Sequence, residues 1–236
     1  MAGFCFSLEN ILNMDKKIDV FLISFPDSIL GNTIGCDLRI LDPEATAADL
    51  MDAFDALAQE HLAPCKGCDG CCRERAPLIA ADIPRLAQLL PTSNYPAHDV
   101  CKNFATISVK RGVTDIVLKR KADQACIHLD TQNRCCRIWS QRAFVCRSHF
   151  CLPRSDKIER LRQDIVNAGI NELTRLLLVE EDNGAQPLTR RPLAKLVNPM
   201  DYWNNPQQGA DCYEKIKLRD TTAPELWMEL FQPDPE

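Results

Sequence analysis

The run Cys65-Lys66-Gly67-Cys68-Asp69-Gly70-Cys71-Cys72 constrains this chain more than any other segment. Three cysteines step by three, and a fourth stands directly beside the third. Gly67 and Gly70 lie between them, where the lack of a side chain lets the backbone turn tightly about the sulfurs. Thiolates are soft ligands suited to zinc and to iron–sulfur centres. The doubled Cys71-Cys72 adds a condition. Neighbouring side chains diverge on a strand or a helix, so these two are expected to serve two different metals, or two positions of a polynuclear centre.

A second group follows, with Cys126, Cys135, Cys136, Cys146 and Cys151 spread over residues 126–151. Asp130-Thr131-Gln132-Asn133 reads as a turn that brings Cys126 back toward Cys135 or Cys136. The two windows hold most of the 13 cysteines; the others, Cys5, Cys36, Cys101 and Cys212, are scattered and read as small buried hydrophobes. One tetrahedral zinc or one cubane cluster takes four ligands. Cys65, Cys68, Cys71, Cys72, Cys126, Cys136, Cys146 and Cys151 therefore suffice for two centres, or for one centre and a metal with an open position. The spacing is not that of a ferredoxin run. Arg142 and Arg147 flank Cys146, placed either to hydrogen-bond sulfurs or to balance thiolate charge. His149 is a candidate ligand or proton donor, and His128 a weaker one.

Composition says which chemistry these cysteines are free for. The chain has 236 residues with 45% hydrophobic and 26% charged side chains, ordinary for a soluble globular protein that buries its own core. Disulfides are not needed to hold it. The longest early apolar stretch, Val20 to Phe25, is too short for a secretory leader, and no membrane span is visible. The expected compartment is the cytoplasm, where thiols stay reduced and read as metal ligands. A net charge of −5 argues against nucleic acid as a partner.

The expected organisation is an N-terminal extension (1–42), a cysteine-cluster metal-binding domain (43–182) and a C-terminal extension (183–236) packed on the same domain. Val20–Phe25 reads as a strand closed by Pro26. Asp42-Pro43-Glu44 starts a helix that runs to about His61 and stops at Pro64. Asp82 starts a second helix through about Leu90, and 92–103 reads as loop. Ile107–Val109 and Asp115–Leu118 form two strands meeting near Arg111-Gly112. Ser155 caps a long helix from Asp156 to about Glu181, with Gly169 as a bend and Asn183-Gly184 as its stop. Thr222 and Glu225 are spaced as a capping box before Leu226, Trp227, Leu230 and Phe231. The fold class is α+β: a single compact domain, helices around a small sheet, with two Cys-rich loops converging on a metal site.

Two blocks of this sequence resemble the CxxCxxCC cysteine-cluster family of zinc- or iron-chelating proteins. The first is Cys65 to Cys72. The second resembles the family's Cys-Pro-Phe-Leu … Cys-x-Ile-Tyr-x-x-Arg-Pro-x-x-Cys-Arg, which here reads Cys126-Ile127-His128-Leu129 and Cys136-Arg137-Ile138-Trp139 through Arg142-Ala143 to Cys146-Arg147. The resemblance covers about Ala45 to Cys151. The cysteines and both arginines persist, while Ile127, His128, Trp139 and Ala143 depart from the pattern. Cys135 is an extra cysteine beside the matched Cys136. Some relatives of the pattern resemble flagellin lysine-N-methylases, which implies an iron–sulfur centre and group transfer. No glycine-rich strand–turn–helix for a methyl donor stands in this chain.

The leading expectation is thus a metal-binding protein with an iron–sulfur cluster (4Fe-4S) or zinc, in one or two centres, supporting redox or group-transfer chemistry such as protein methylation. Its substrate would be a protein or a small molecule. The rival is a non-enzymatic zinc module that holds the fold and a partner protein, and a third reading is metal storage. No nucleophile triad or marked carboxylate pair names a catalytic residue.

Overall fold

A computed structural model describes residues 16–27, 31–61, 67–91, 95–149 and 151–233. The chain enters on a hairpin, where strand β1 (Ile18–Asp27) pairs antiparallel with β2 (Gly31–Ile40). Ile18 faces Ile40 and Val20 faces Leu38. With Cys36 these alternate residues form one buried face. A single strand closed by Pro26 was the expectation; pairing instead passes through Pro26, which an edge strand tolerates because its outward N–H is not needed. The hairpin is tied to distant chain. Cys36 N–H donates to the Pro153 carbonyl (2.9 Å), and Gln232 N–H to that of Ile40 (2.9 Å).

Helix α1 (Ala47–His61) begins after the expected Asp42-Pro43-Glu44 start. The Asp42 carboxylate is spent on a local turn, accepting the Glu44 N–H at 2.7 Å. The helix is capped reciprocally by Thr46 and Asp49. The Asp49 carboxylate accepts the Thr46 N–H (2.8 Å), and the Asp49 N–H donates to the Thr46 hydroxyl (3.3 Å). Leu50, Met51, Phe54 and Leu57 face the core. Leu62 and the expected stop at Pro64 lie outside the described residues.

Helix α2 (Ile83–Ala87) follows a 3₁₀ turn at Ala80–Asp82 and is shorter than the expected 82–90. Helix α3 (Ala97–Phe104) stands where a loop was expected. Its cap comes from far along the chain, since the Glu180 carboxylate accepts the Ala97 (2.9 Å) and His98 (2.6 Å) N–H groups. Orphan donors at a helix start can be met by any nearby acceptor, and this one leaves no local signature. Strands β3 (Ala105–Lys110) and β4 (Val113–Leu118) extend the expected pair. Arg111 (φ 54°) and Gly112 (φ 79°) join them in the two-residue turn that matches strand twist. Strands β5 (Leu129–Asp130) and β6 (Cys135–Cys136) close the expected turn, whose Gln132 and Asn133 N–H groups donate to Asp130.

After the one-turn helix α4 (Phe144–Arg147) comes α5 (Asp156–Asp182), capped at Ser155 as expected, with the Ile158 N–H at 3.3 Å from its hydroxyl. It is the backbone of the molecule. Ile158, Leu161 and Ile165 join a core with the hairpin and α1, while Leu173, Leu177 and Leu178 join a second with α2, α3 and β3–β4. Two short helices, α6 (Leu218–Thr221) and α7 (Pro224–Leu230), close the chain against the first core through Leu218, Leu226 and Leu230. The Thr222–Glu225 capping box does not form. Pro224 sets the helix start one residue later, Asp164 of α5 accepts the Ala223 N–H (3.1 Å), and the Thr222 hydroxyl is buried without a partner. The class is α+β, with seven α-helices and three two-stranded sheets among the described residues. No described helix is long and apolar enough to cross a membrane.

Gly169 is a contact rather than a bend: a Cβ there would stand 2.4 Å from the Ile79 Cβ. Alanine at an ordinary helix position gains about 1 kcal/mol over glycine. Here overpacking of about 1–3 kcal/mol opposes that gain. Gly169→Ala is expected to lower the urea midpoint; a raised midpoint would show that Ile79 yields freely.

Candidate metal centre

The first cysteine block is anchored by its own turn and by the second block. Gly67 takes the left-handed conformation (φ 75°), and Cys71–Arg73 forms a 3₁₀ turn closed by Arg73 N–H to Gly70 and Glu74 N–H to Cys71. The Asp69 carboxylate accepts from Arg73 (3.0 Å) and from Arg134 of the β5–β6 turn (3.0 Å). Cys126 N–H donates to the Cys72 carbonyl at 2.8 Å, and the Arg120 guanidinium to the Arg73 carbonyl at 2.5 Å. Segments more than fifty residues apart in sequence are thus joined at the backbone.

Between the blocks lies a cavity of about 850 Å³. Seven cysteines line it: Cys68, Cys71, Cys72, Cys126, Cys136, Cys146 and Cys151. His128, His149, Arg142 and Arg147 line it too, and Phe54, Leu118, Ile138, Trp139 and Val145 give it apolar walls. Cys65 lies outside the described residues. Cys135 is not in the lining; it precedes Cys136 on β6, where successive side chains take opposite faces. Of the two neighbours, Cys136 lines the cavity and Cys135 does not. Cys36 and Cys101 are buried elsewhere, and burial pushes their thiols up to about 11 and about 12, as inert core residues require.

Cys71 and Cys72 do not diverge. The tight 3₁₀ turn sets both residues on the cavity wall, side by side. The neighbouring Cys72 thiol holds Cys71 down to about 6, and Cys72 is raised in turn. Burial raises Cys126 and Cys136, and pushes Cys146 up to about 12. The neighbouring thiols add to the shifts of Cys136 and Cys146. A metal at this site displaces protons as it binds.

The histidines suit the same role. Burial lowers both His128 and His149, keeping the imidazoles neutral as a ligand must be. His128 Nε2 is buried without a partner. That orphaned acceptor and the soft thiol set fit zinc or iron. As placed, no three His, Cys, Asp or Glu side chains among the described residues are gathered closely enough to share an ion. Chelation therefore requires the thiols to turn inward from the walls. The arginines donate to oxygens. Arg142 reaches the Trp139 (3.1 Å) and Cys146 (3.4 Å) carbonyls and lies 3.5 Å over the Trp139 ring. Arg147 pairs with Asp55 (2.6 Å) and Asp52 (3.1 Å) of α1.

Behind the wall sits a residue that motif reading missed as part of the site. Asp82 is wholly buried and accepts from Ile79 N–H, Phe144 N–H and the Tyr213 hydroxyl. Its only sequence signal was a helix start. Burial raises its carboxyl to about 6 against the pull of those donors and of Arg85. The folded protein then binds more protons than the unfolded one between about pH 4 and pH 6, so stability falls as pH rises across that window, by up to about 3 kcal/mol. The wild-type stability minus that of Asp82→Asn is expected to fall by this amount from pH 4 to 6 and level off above. A flat difference in urea titrations would contradict it.

The family model described as "CxxCxxCC: Putative zinc- or iron-chelating domain" matches residues 64–166. Its span takes in both cysteine blocks and ends inside α5, so α1 and the C-terminal helices lie outside it. Searches of curated proteins and of solved structures return no match.

Proposed function

We propose that this chain holds an iron–sulfur centre, or a mixed iron and zinc one, in the cavity between its two cysteine blocks, and that the centre acts on a substrate by redox or group-transfer chemistry. The observation that carries this reading is the cavity itself. It presents seven thiols and two neutral imidazoles, more soft donors than one closed four-ligand site uses. Its volume lies in the range of pockets that take organic ligands, and its walls are largely apolar. Structural zinc sites are closed, whereas working metals keep an open side.

In this reading Cys68, Cys71, Cys72, Cys126, Cys136, Cys146 and Cys151 supply the ligands, with Cys65 among them. When bound, such a centre supplies one-electron chemistry or a Lewis acid. Trp139 and Ile138 wall the space beside it, and Arg142 and Arg147 offset its thiolate charge. Protein methylation is the group transfer that the family resemblance favours. The substrate is a protein or a small molecule, and the compartment is the reducing cytoplasm.

Anaerobic purification with an absorption spectrum and iron, sulfide and zinc analysis tests this. The expected result is a brown protein with stoichiometric iron and sulfide. A colourless protein with tightly held zinc and no sulfide would replace the reading with a zinc-binding structural or protein-interaction module.

A further inference from the structure

Cys146 rides on a helix too short to hold itself. Helix α4 has four residues, and a single turn fixes many dihedrals for very few hydrogen bonds. Its place is imposed from outside, at both ends. The Phe144 N–H donates to Asp82 Oδ1 at 2.8 Å. The same oxygen accepts the Tyr213 hydroxyl at 2.5 Å, and Oδ2 accepts the Ile79 N–H at 2.9 Å. At the far end Arg147 is held by Asp55 and Asp52. The buried Ser148 hydroxyl donates to the Phe144 carbonyl (2.8 Å) and accepts from Arg162 (3.1 Å). Asp52, Asp55 and Tyr213 all lie outside the matched domain.

We propose that Asp82 is a positioning residue for Cys146, and that Tyr213 brings the C-terminal segment into the metal site through it. The inference rests on the metal reading above. Asp82 touches no cavity thiol by hydrogen bond; it acts by fixing the first N–H of the turn that carries Cys146. A buried carboxylate bound by an N–H makes a charge-assisted bond, stronger and more directional than a neutral one. Without it, Phe144 N–H is a buried orphan, and α4 is free to rotate Cys146 away from Cys126 and Cys136. Tyr213 matters because its hydroxyl holds the same oxygen, linking residues 131 apart.

Cobalt(II) titration of the metal-free full chain tests the proposal, since the ligand-field band reports thiolate geometry independently of stability. Asp82→Ala is expected to weaken cobalt binding roughly 10–100-fold, the range for lost outer partners of metal ligands, and to shift the band. Asp82→Asn keeps one carbonyl for Phe144 and Tyr213 and is expected to recover part of the affinity. Leu230→Ala, in the buried face of α7, serves as a destabilised control with unchanged band and affinity. A folded Asp82→Ala with wild-type affinity and band would overturn the proposal, as would an equal shift in Leu230→Ala. If Asp82→Ala does not fold, Tyr213→Phe decides. A smaller loss with a shifted band is expected, and wild-type behaviour overturns it. Wild-type protein that takes up no cobalt sinks the metal reading and the proposal together. Normal cobalt uptake by every variant sinks the positioning role alone.

Discussion

Replacing Phe144 by alanine is expected to lower folding stability by about 3–5 kcal/mol, the usual range for a fully buried aromatic. Phe144 is 0% exposed and belongs to the core that joins α1, α5 and the hairpin. Its ring centroid lies 6.3 Å from that of Tyr213 at a tilt of 53°, within the favourable aromatic geometry. The space left would lie in that core beside Tyr213, and well-packed surroundings collapse only partly into such a space. The same turn carries Cys146, so the variant is also expected to bind metal less tightly. Urea unfolding of the metal-free protein gives the number. A loss under about 1 kcal/mol would mean that α4 is not seated in the core as described.

The second large effect is on metal affinity and sets a cysteine of the cavity wall against one outside the lining. Cys72→Ser is expected to weaken metal binding more than a hundredfold. Loss of an outer partner alone costs roughly 10–100-fold, and Cys72 is a thiol of the cavity wall beside Cys71. Cys135→Ser is expected to leave affinity unchanged, because Cys135 faces away from the cavity. Competition titration with a chromogenic chelator measures both. Equal losses in the two would contradict the placement of Cys135 outside the cavity lining, and an unchanged Cys72→Ser would remove the adjacent cysteine from the proposed ligand set.

What the sequence made legible follows the range of the interaction that fixes each feature. Ser155, Asn183-Gly184 and Arg111-Gly112 act on their own neighbours, and the helix and hairpin they bound are found where expected. Helix α3 was missed because its cap is Glu180, eighty-three residues away. The expected capping box at Thr222 lost to Pro224 beside it and to Asp164 across the interface. In the site, seven of the cysteines picked out by motif spacing line one cavity, since a thiol's donor chemistry is its own. Asp82 escaped because a buried carboxylate is made important by what folds onto it, here Phe144 and Tyr213. The pairing of Cys71 with Cys72 in one cavity depended on a 3₁₀ turn, which periodicity does not announce.

Whether the two cysteine blocks serve one centre is read most directly from the metal content of block variants. Cys68→Ser with Cys71→Ser removes donors from the first block, and Cys136→Ser with Cys146→Ser from the second. A shared centre in the common cavity predicts that either pair alone abolishes the bound metal, measured per folded chain after anaerobic purification. Metal retained in full by one pair and lost in the other, or halved in each, would show that the blocks bind separately and that the cavity between them is not the metal site.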